Sequence, residues 1–326
     1  MPATFTRPIL TPAAARDAAG RTTRLAPRGA PPLVSLTSDF GDRDPSAAIC
    51  RGVVLSIAPA VRLLDVSHEI EKYSIPDGAL VLWCALPYLP VGVHVAVVDP
   101  GVGTARLPVA MRVARGDVLV GPDNGLLRPV AERLGGIVAV HALESAEYRL
   151  PVVSTSFHGR DIFAPAAAHL ALGVPLQAFG RPIDPAALIR LDLPAPEVRT
   201  GQVSTAAVYV DTFGNVKLGG ERADLERALG QLAPGTGLAL EIDSGPRASI
   251  ADAGAVDLAD GLRRSRPVIR ARTLHLPWVD TFGSVQHGEA LLYEDSYGRL
   301  CLAVNRGDAG RLLSIGAGDR VVIRRA

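Results

Sequence analysis

A chain of 326 residues is long enough for two domains of ordinary size, and 48% hydrophobic residues can give each of them a core. A formal net charge of +1 with dispersed charges offers no electrostatic footprint for nucleic acid or an anionic membrane, so a small-molecule partner is expected. No apolar run approaches the roughly 20 residues of a membrane-spanning helix. Cys50, Cys84 and Cys301 lack a CxxC pairing and fit buried thiols in a reducing, cytoplasmic setting, not a disulfide framework or a zinc site.

Residues 1–32 stand apart, with Arg7, Arg16, Arg21, Arg24 and Arg28 among Ala, Pro, Thr and Gly, and Asp17 the only acid. Arg-rich and acid-poor composition also suits an organelle transit peptide, but without an amphipathic period the segment is expected to be a disordered extension. From Leu33 strands and helices alternate. LVSLT (33–37) is a strand, and Asp44 before Pro45 has the form of an N-cap opening a helix that stops before Pro59. VRLLDV is the second strand, Ser74 to Tyr88 a helix starting near Pro76, and VHVAVVD (93–99), LPVAMRV and VLVGP are further strands. Asn124 to Leu134 and Asp161 to Leu172 complete the pattern as helices. This alternation predicts an α/β domain with a mostly parallel sheet over 33–184. Pro182, Pro185, Pro194 and Pro196 then favour an extended linker, placed at 185–196. Over 197–326 the short runs VSTAAVYV, LALEI, PVIRAR, ALLYE, RLCLAVN and DRVVIRR, with one helix near Arg222 to Leu229, predict a smaller, mainly antiparallel β-barrel or sandwich.

Asp39 in LTSDFG, Asp65 in LLDVSH and Asp99 in VVDPGVG each close an apolar run. In an open parallel sheet, carboxylates ending successive strands converge on the edge where ligands bind. The segment from 99 to 161 is densest in chemistry: Asp99, Arg106 across a Pro and Gly turn, and His158, Arg160 and Asp161 in STSFHGRD. A carboxylate, a guanidinium and an imidazole meeting there hold and polarise a water. A loop ion pair of Asp99 with Arg106 and a helix-terminal role for His158 are the structural alternatives. Another is a phosphoesterase metal site for Mg²⁺, Mn²⁺ or Zn²⁺ from Asp39, Asp65, His68, Asp99 and His158. GVGTAR lacks the third glycine of a dinucleotide fingerprint, and GxxxxGK[ST], GxSxG and HExxH are absent.

TSDFG, DVSH, VVDPGVGT, GPDNG, FHGRDIFAPAAA, DTFGN and SYGRLCLAVNRG, in this order from about Leu33 to Ile323, resemble the S-adenosyl-L-methionine hydroxide adenosyltransferases, relatives of the fluorinase and chlorinase. The resemblance implies cleavage of S-adenosyl-L-methionine by water to adenosine and L-methionine, with no cofactor beyond the substrate and no metal. It implies a homotrimer whose sites lie between one subunit's N-terminal domain and its neighbour's C-terminal domain. By motif, Asp99, Arg106 and His158 manage the water, with His158 expected as base and Arg106 as the charge that lowers the water's pKa. Asp39 resembles the carboxylate that accepts both ribose hydroxyls, Asp44 and Ser46 the contacts to the methionine part, and Tyr73 an aromatic on the ribose or sulfonium. Asp211, Phe213, Asn215 and Ser296 resemble groups holding the methionine termini and the adenine; Phe282 either flanks the base or is a core aromatic.

Four positions depart from the halogenases. Asp99 and Val102 stand in place of a tyrosine and a small polar residue, Gly159 in place of the fluorinase serine, and Tyr297, left unassigned, in place of an arginine. A carboxylate repels a halide, so water is the expected nucleophile and chloride the alternative. A non-catalytic S-adenosyl-L-methionine or adenosine sensor is the reading outside enzymology.

Overall fold

Val, Leu and Ile concentrated in runs of five or six residues, broken by Gly, Pro and Asp, produce short buried strands in the computed structural model, which describes residues 31–191, 194–243 and 272–326. Most of the extension read over 1–32 and of the strand read at PVIRAR lies outside the described residues. The chain divides into two units between Leu191 and Asp192, within the proline-rich segment.

In the N-terminal unit the order is β1 (Leu33–Ser38), α1 (Ser46–Ile57), β2 (Arg62–Ser67), α2 (Ile75–Ala85), β3 (Val93–Val97), β4 (Pro108–Val113), β5 (Val118–Pro122), α3 (Arg128–Arg133), β6 (Ile137–Ala142) and α4 (Ala164–Ala171). The sheet runs β2-β1-β3-β5-β4-β6. Its first four strands are parallel, and β4 pairs antiparallel with β5 and β6, so the mostly parallel sheet is mixed at one edge. Helices cover both faces. Val34, Leu36, Val95 and Val97 pack with Val54 of α1 and Ala166 to Ala168 of α4. Ala96, Val98, Met111 and Leu119 pack with Leu82 of α2 and Val130 of α3. The alanine run of α4 is fully buried, its small side chains letting the helix lie close on the strands.

The sequence reading missed β6 and made α3 too long, both through turn chemistry. Asn124 donates from Nδ2 to the Val98 carbonyl (2.9 Å) and accepts from Leu126 N–H (3.2 Å), holding a turn where helix was expected. Gly135 and Gly136, at φ +99° and +97°, then end α3 and lead into β6.

A buried polar row pins β1 and β3 to the β4–β5 turn. Ser35 Oγ lies 2.7 Å from His94 Nδ1, and His94 Nε2 lies 3.0 Å from Asp117 Oδ1, which also meets Arg115 Nη2 at 2.9 Å. Burial opposes ionisation of Asp117, yet hydrogen bonds from His94 and Arg115 outweigh it and hold the carboxyl at about 2. A carboxyl depressed in the folded state stabilises fully above its ordinary pKa and loses that contribution as the pH falls toward 2. By linkage this amounts to about 2 kcal/mol. Acid unfolding followed by circular dichroism is therefore expected to steepen between about pH 4 and 2. Asp117→Asn should lower the melting temperature at pH 7 and narrow its gap from the parent chain across that window. A gap independent of pH would contradict the assignment.

The C-terminal unit contains β7 (Glu197–Arg199), β8 (Gln202–Val210), β9 (Val216–Leu218), α5 (Arg222–Leu229), β10 (Gly237–Asp243), β11 (Arg272–Pro277), β12 (Ala290–Glu294), β13 (Leu300–Val304), α6 (Ala309–Leu312) and β14 (Arg320–Arg325). Antiparallel pairing orders them β11-β10-β14-β8-β9-β13-β12, with β7 added beside β8. A bridge from Trp278 to Leu292 links the two ends, giving a nearly closed barrel. Leu218, Leu240, Leu292, Leu302 and Trp278 fill its interior. Among the described residues no helix is long and apolar enough to cross a membrane.

Candidate active site

Ser38 of β1 pairs with Val97 of β3, so Asp39 and Asp99 leave neighbouring parallel strands at the same edge of the sheet. Asp65 does not join them. It lies inside β2, two residues before the strand ends, and forms an ion pair with Arg51 of α1 while Oδ1 sits 3.1 Å from His68 Nε2. Of the three strand-closing aspartates, two face the edge. Among the described residues no three His, Cys, Asp or Glu side chains group as metal ligands, so Asp39, Asp65, His68, Asp99 and His158 do not assemble as a ligand set.

Asp99, Arg106 and His158 do meet. Arg106 Nε donates to both Asp99 oxygens at 3.0 Å, Nη2 bonds Oδ2 as well, and Nη2 lies 2.8 Å from His158 Nδ1. The Asp99 and Arg106 side chains are only 5% and 7% exposed, which strengthens the pairing by excluding water. Phe163 lies under the guanidinium, its ring centroid 5.3 Å away. Because a guanidinium has only donors, His158 Nδ1 must accept, and the neutral ring then carries its proton on Nε2. Burial first, and then the Arg106 charge, hold the His158 pKa below the usual histidine value. The expected proton uptake by His158 is thus blocked at Nδ1 by Arg106 and at Nε2 by the ring's own hydrogen. Asp99 keeps one lone pair, on Oδ1, beyond those Arg106 uses.

Two features bring the separated segments together. Gly103 adopts φ +77°, and a Cβ there would lie 2.3 Å from the Thr155 carbonyl oxygen, so only glycine lets the Asp99–Arg106 loop seat against the His158 loop. Gly103→Ala is expected to lower kcat/KM by about tenfold or more, equivalent to about 1.4 kcal/mol or more of lost transition-state stabilisation. Steady-state kinetics check it, and an unchanged value would show that the loops close without this contact. The second feature is Asp161, fully buried, which accepts from Ser154 N–H at 2.8 Å and from Arg160 Nε at 2.6 Å. Ser154 Oγ accepts from Phe157 N–H at 3.0 Å, so Asp161 anchors the loop that carries His158. Immediately after His158 the chain takes one π-helical turn, Gly159–Phe163, before α4. The set of site residues expected from the sequence omitted Asp161; the acid at the mouth of an alanine helix in FHGRD was its signal. A Cβ at Gly159 would come within 3.0 Å of Phe40 Cζ, so a serine there requires the Phe40 ring to move.

The remaining candidates fall into local groups. Asp39 is buried and its Oδ2 accepts from Tyr73 N–H at 3.0 Å; Lys72 Nζ bonds the Asp39 carbonyl. Tyr73 itself is 68% exposed and sits at φ +63°, a left-handed conformation uncommon outside glycine. Asp44 accepts from Ser46 N–H at 3.2 Å, which holds its carboxyl below the ordinary range, while Pro45 takes the cap position expected for Asp44. In the C-terminal unit, Asp211, Phe213 and Asn215 share the β8–β9 loop. Phe213 is 78% exposed, and Asp211 is committed to its own loop through Phe213 N–H, Asn215 N–H and Asn215 Nδ2. Phe282 packs on Tyr293 with ring centroids 5.0 Å apart, and Ser296 is exposed in the β12–β13 turn.

Known proteins are similar to this chain in sequence and in architecture. A family model described as the SAM hydroxide adenosyltransferase N-terminal domain matches residues 34–180, and the model of the C-terminal domain matches residues 205–322. A protein of Salinispora tropica named (R)-S-adenosyl-L-methionine hydrolase is 40% identical over 291 residues, covering 89% of this chain and 97% of its own. One of that name from Thermus thermophilus is 37% identical over 257 residues, covering 72% and 98%. A fluorinase of an Actinoplanes species is 28% identical over 326 residues, covering 92% and 100%. The crystal structure of an uncharacterized conserved protein from Thermotoga maritima superposes with a TM-score of 0.74 at 30% identity, covering 90% of this chain and all of that one. With both domain models matched in order across most of its length, the chain belongs to the SAM hydroxide adenosyltransferase family.

Proposed function

We propose that the chain hydrolyses S-adenosyl-L-methionine to adenosine and L-methionine. The observation that carries this reading is the buried contact of Asp99, Arg106 and His158 at the sheet edge, in a chain whose relatives at 40% identity bear the hydrolase name. The water oxygen attacks ribose C5′, the C5′–S bonding pair returns to sulfur, and methionine leaves as a neutral thioether. One proton departs from the water, so substrate and water balance the reaction without oxidant, cofactor or metal. A sulfonium needs little acid assistance to leave, and the demand on the protein is an aligned, desolvated oxygen.

In this scheme the His158 Nε2–H donates to the water oxygen and orients it. Asp99 takes the proton, and Arg106 holds both groups while its charge favours hydroxide character. Asp39 meets the ribose hydroxyls, Asp44 and Ser46 the methionine part, and Tyr73 the ribose or sulfonium. Asp211, Phe213, Asn215 and Ser296 are assigned to the methionine termini and adenine, Asp211 through the loop it organises, with Phe282 beside the base. A homotrimer in which a neighbouring copy completes each site belongs to the same proposal, as does a cytoplasmic setting, supported by Cys50, Cys84 and Cys301 forming no disulfide among the described residues. Incubation with S-adenosyl-L-methionine in ¹⁸O water should label the adenosine 5′-hydroxyl and release methionine in equal amount. Unlabelled adenosine, a 5′-halo product in high chloride, or binding without methionine release would overturn it.

A further inference from the structure

Two loops of the C-terminal unit repeat one local design. D-T-F-G-N (211–215) connects β8 to β9, and D-S-Y-G-R (295–299) connects β12 to β13. In each, the aspartate Oδ1 accepts from the backbone N–H two and four residues on: Asp211 from Phe213 (3.0 Å) and Asn215 (2.9 Å), Asp295 from Tyr297 (2.8 Å) and Arg299 (2.9 Å). In each, the glycine N–H donates to the aspartate carbonyl at 2.9 Å, and the glycine adopts φ +81°. A third copy of the pattern, D-T-F-G-S (280–284), forms a 3₁₀ turn in which Asp280 is exposed, so the residues alone do not make the loop.

Each aspartate spends Oδ1 on its own loop and turns Oδ2 toward the same cation, Asp211 Oδ2 also accepting from Asn215 Nδ2 at 2.9 Å. Lys217 Nζ lies 3.0 Å from Asp295 Oδ2 and 3.5 Å from Asp211 Oδ2. Lys217 is buried on β9 opposite Cys301 of β13, between the strands that the two loops serve. Burial opposes its charge, but Cys301, Asp295 and Asp211 outweigh that and hold its pKa above the ordinary lysine value. Without the ammonium, two carboxylates would face each other in a site poor in water, and repulsion would part the loops.

We propose that Lys217 is a positioning residue that locks the two aspartate loops into one substrate-holding element. This rests on the reading above, in which Asp211, Phe213, Asn215 and Ser296 hold substrate. The test compares Lys217→Met and Asp295→Asn, the second isosteric and less demanding on folding. Each should raise the KM for S-adenosyl-L-methionine about tenfold with kcat within about threefold of the parent. The double variant should be no worse than the poorer single one, because both changes remove the same brace. Unchanged KM with only a lower melting temperature would overturn the proposal. If the parent chain releases no methionine, the hydrolase reading fails by itself, and amide exchange still decides the brace. Exchange rising together at 211–215 and 295–299 in Lys217→Met supports it, and a rise at one loop or neither refutes it.

Discussion

Asp99→Asn is expected to cut kcat by about 10²–10⁴-fold, the range for losing a positioned proton acceptor. Arg106 donates to both Asp99 oxygens and fixes the carboxylate at the sheet edge, while one lone pair on Oδ1 remains to take the water proton. The amide keeps the shape, but it is a far weaker base and brings an N–H₂ against a donor-only guanidinium. The KM should change much less than kcat, because Asp99 is assigned to the nucleophile rather than to the substrate's termini. Melting curves must accompany the kinetics. Arg106 is 7% exposed, and a buried charge that loses its partner costs about 3–5 kcal/mol. A folded Asp99→Asn variant that turns over within about threefold of the parent would show that the proton goes elsewhere.

The second large effect concerns His158. With Arg106 Nη2 at 2.8 Å from Nδ1, the proposed scheme makes the imidazole an orienting donor, and its loss in His158→Ala should lower kcat by about 10²-fold. A neutral side chain that both accepts from Arg106 and offers an N–H can stand in for it. His158→Gln should therefore retain at least about tenfold more activity than the alanine variant, whereas a true base would leave the two equally impaired. The pH profile gives an independent sign. Protonation destroys the Nδ1 acceptor and sets imidazolium against guanidinium, so activity is full above the His158 pKa and falls as the pH drops through it. Burial and Arg106 hold that pKa below the ordinary histidine value, so the His158 limb should lie below about 6.5, and in His158→Gln the acid limb should move to lower pH, where protonation of the carboxylate base alone limits activity. An acid limb above about 6.5, or one that stays at the same pH in the glutamine variant, would contradict this role.

Much of the fold is legible along the chain because strands and helices bury faces with different periods. LVSLT, VHVAVVD and ALLYE each lie close to an observed strand, and Arg222 to Leu229 is the helix α5. Where the reading slipped, a local bond or glycine had intervened. Asn124 shortened α3, paired glycines set off β6, and Asp65 turned to Arg51 before its strand had ended. Asp161 was visible in FHGRD as an acid before the alanine helix, but that it anchors the His158 loop through Ser154 N–H and Arg160 emerges only from the fold.

Composition, periodicity and the order of motifs determined that this is a two-part chain, α/β and then a mainly antiparallel barrel, and singled out Asp99, Arg106 and His158 as its candidate site. Those features are written in residue type and spacing, which survive without coordinates. Only the tertiary structure decided which nitrogen of His158 faces Arg106, which aspartate leaves the edge, and that one lysine serves two aspartates far from each other in the chain. Each of these depends on the direction of a hydrogen bond or the distance between residues far apart in the chain, and neither quantity exists until the backbone has closed on itself.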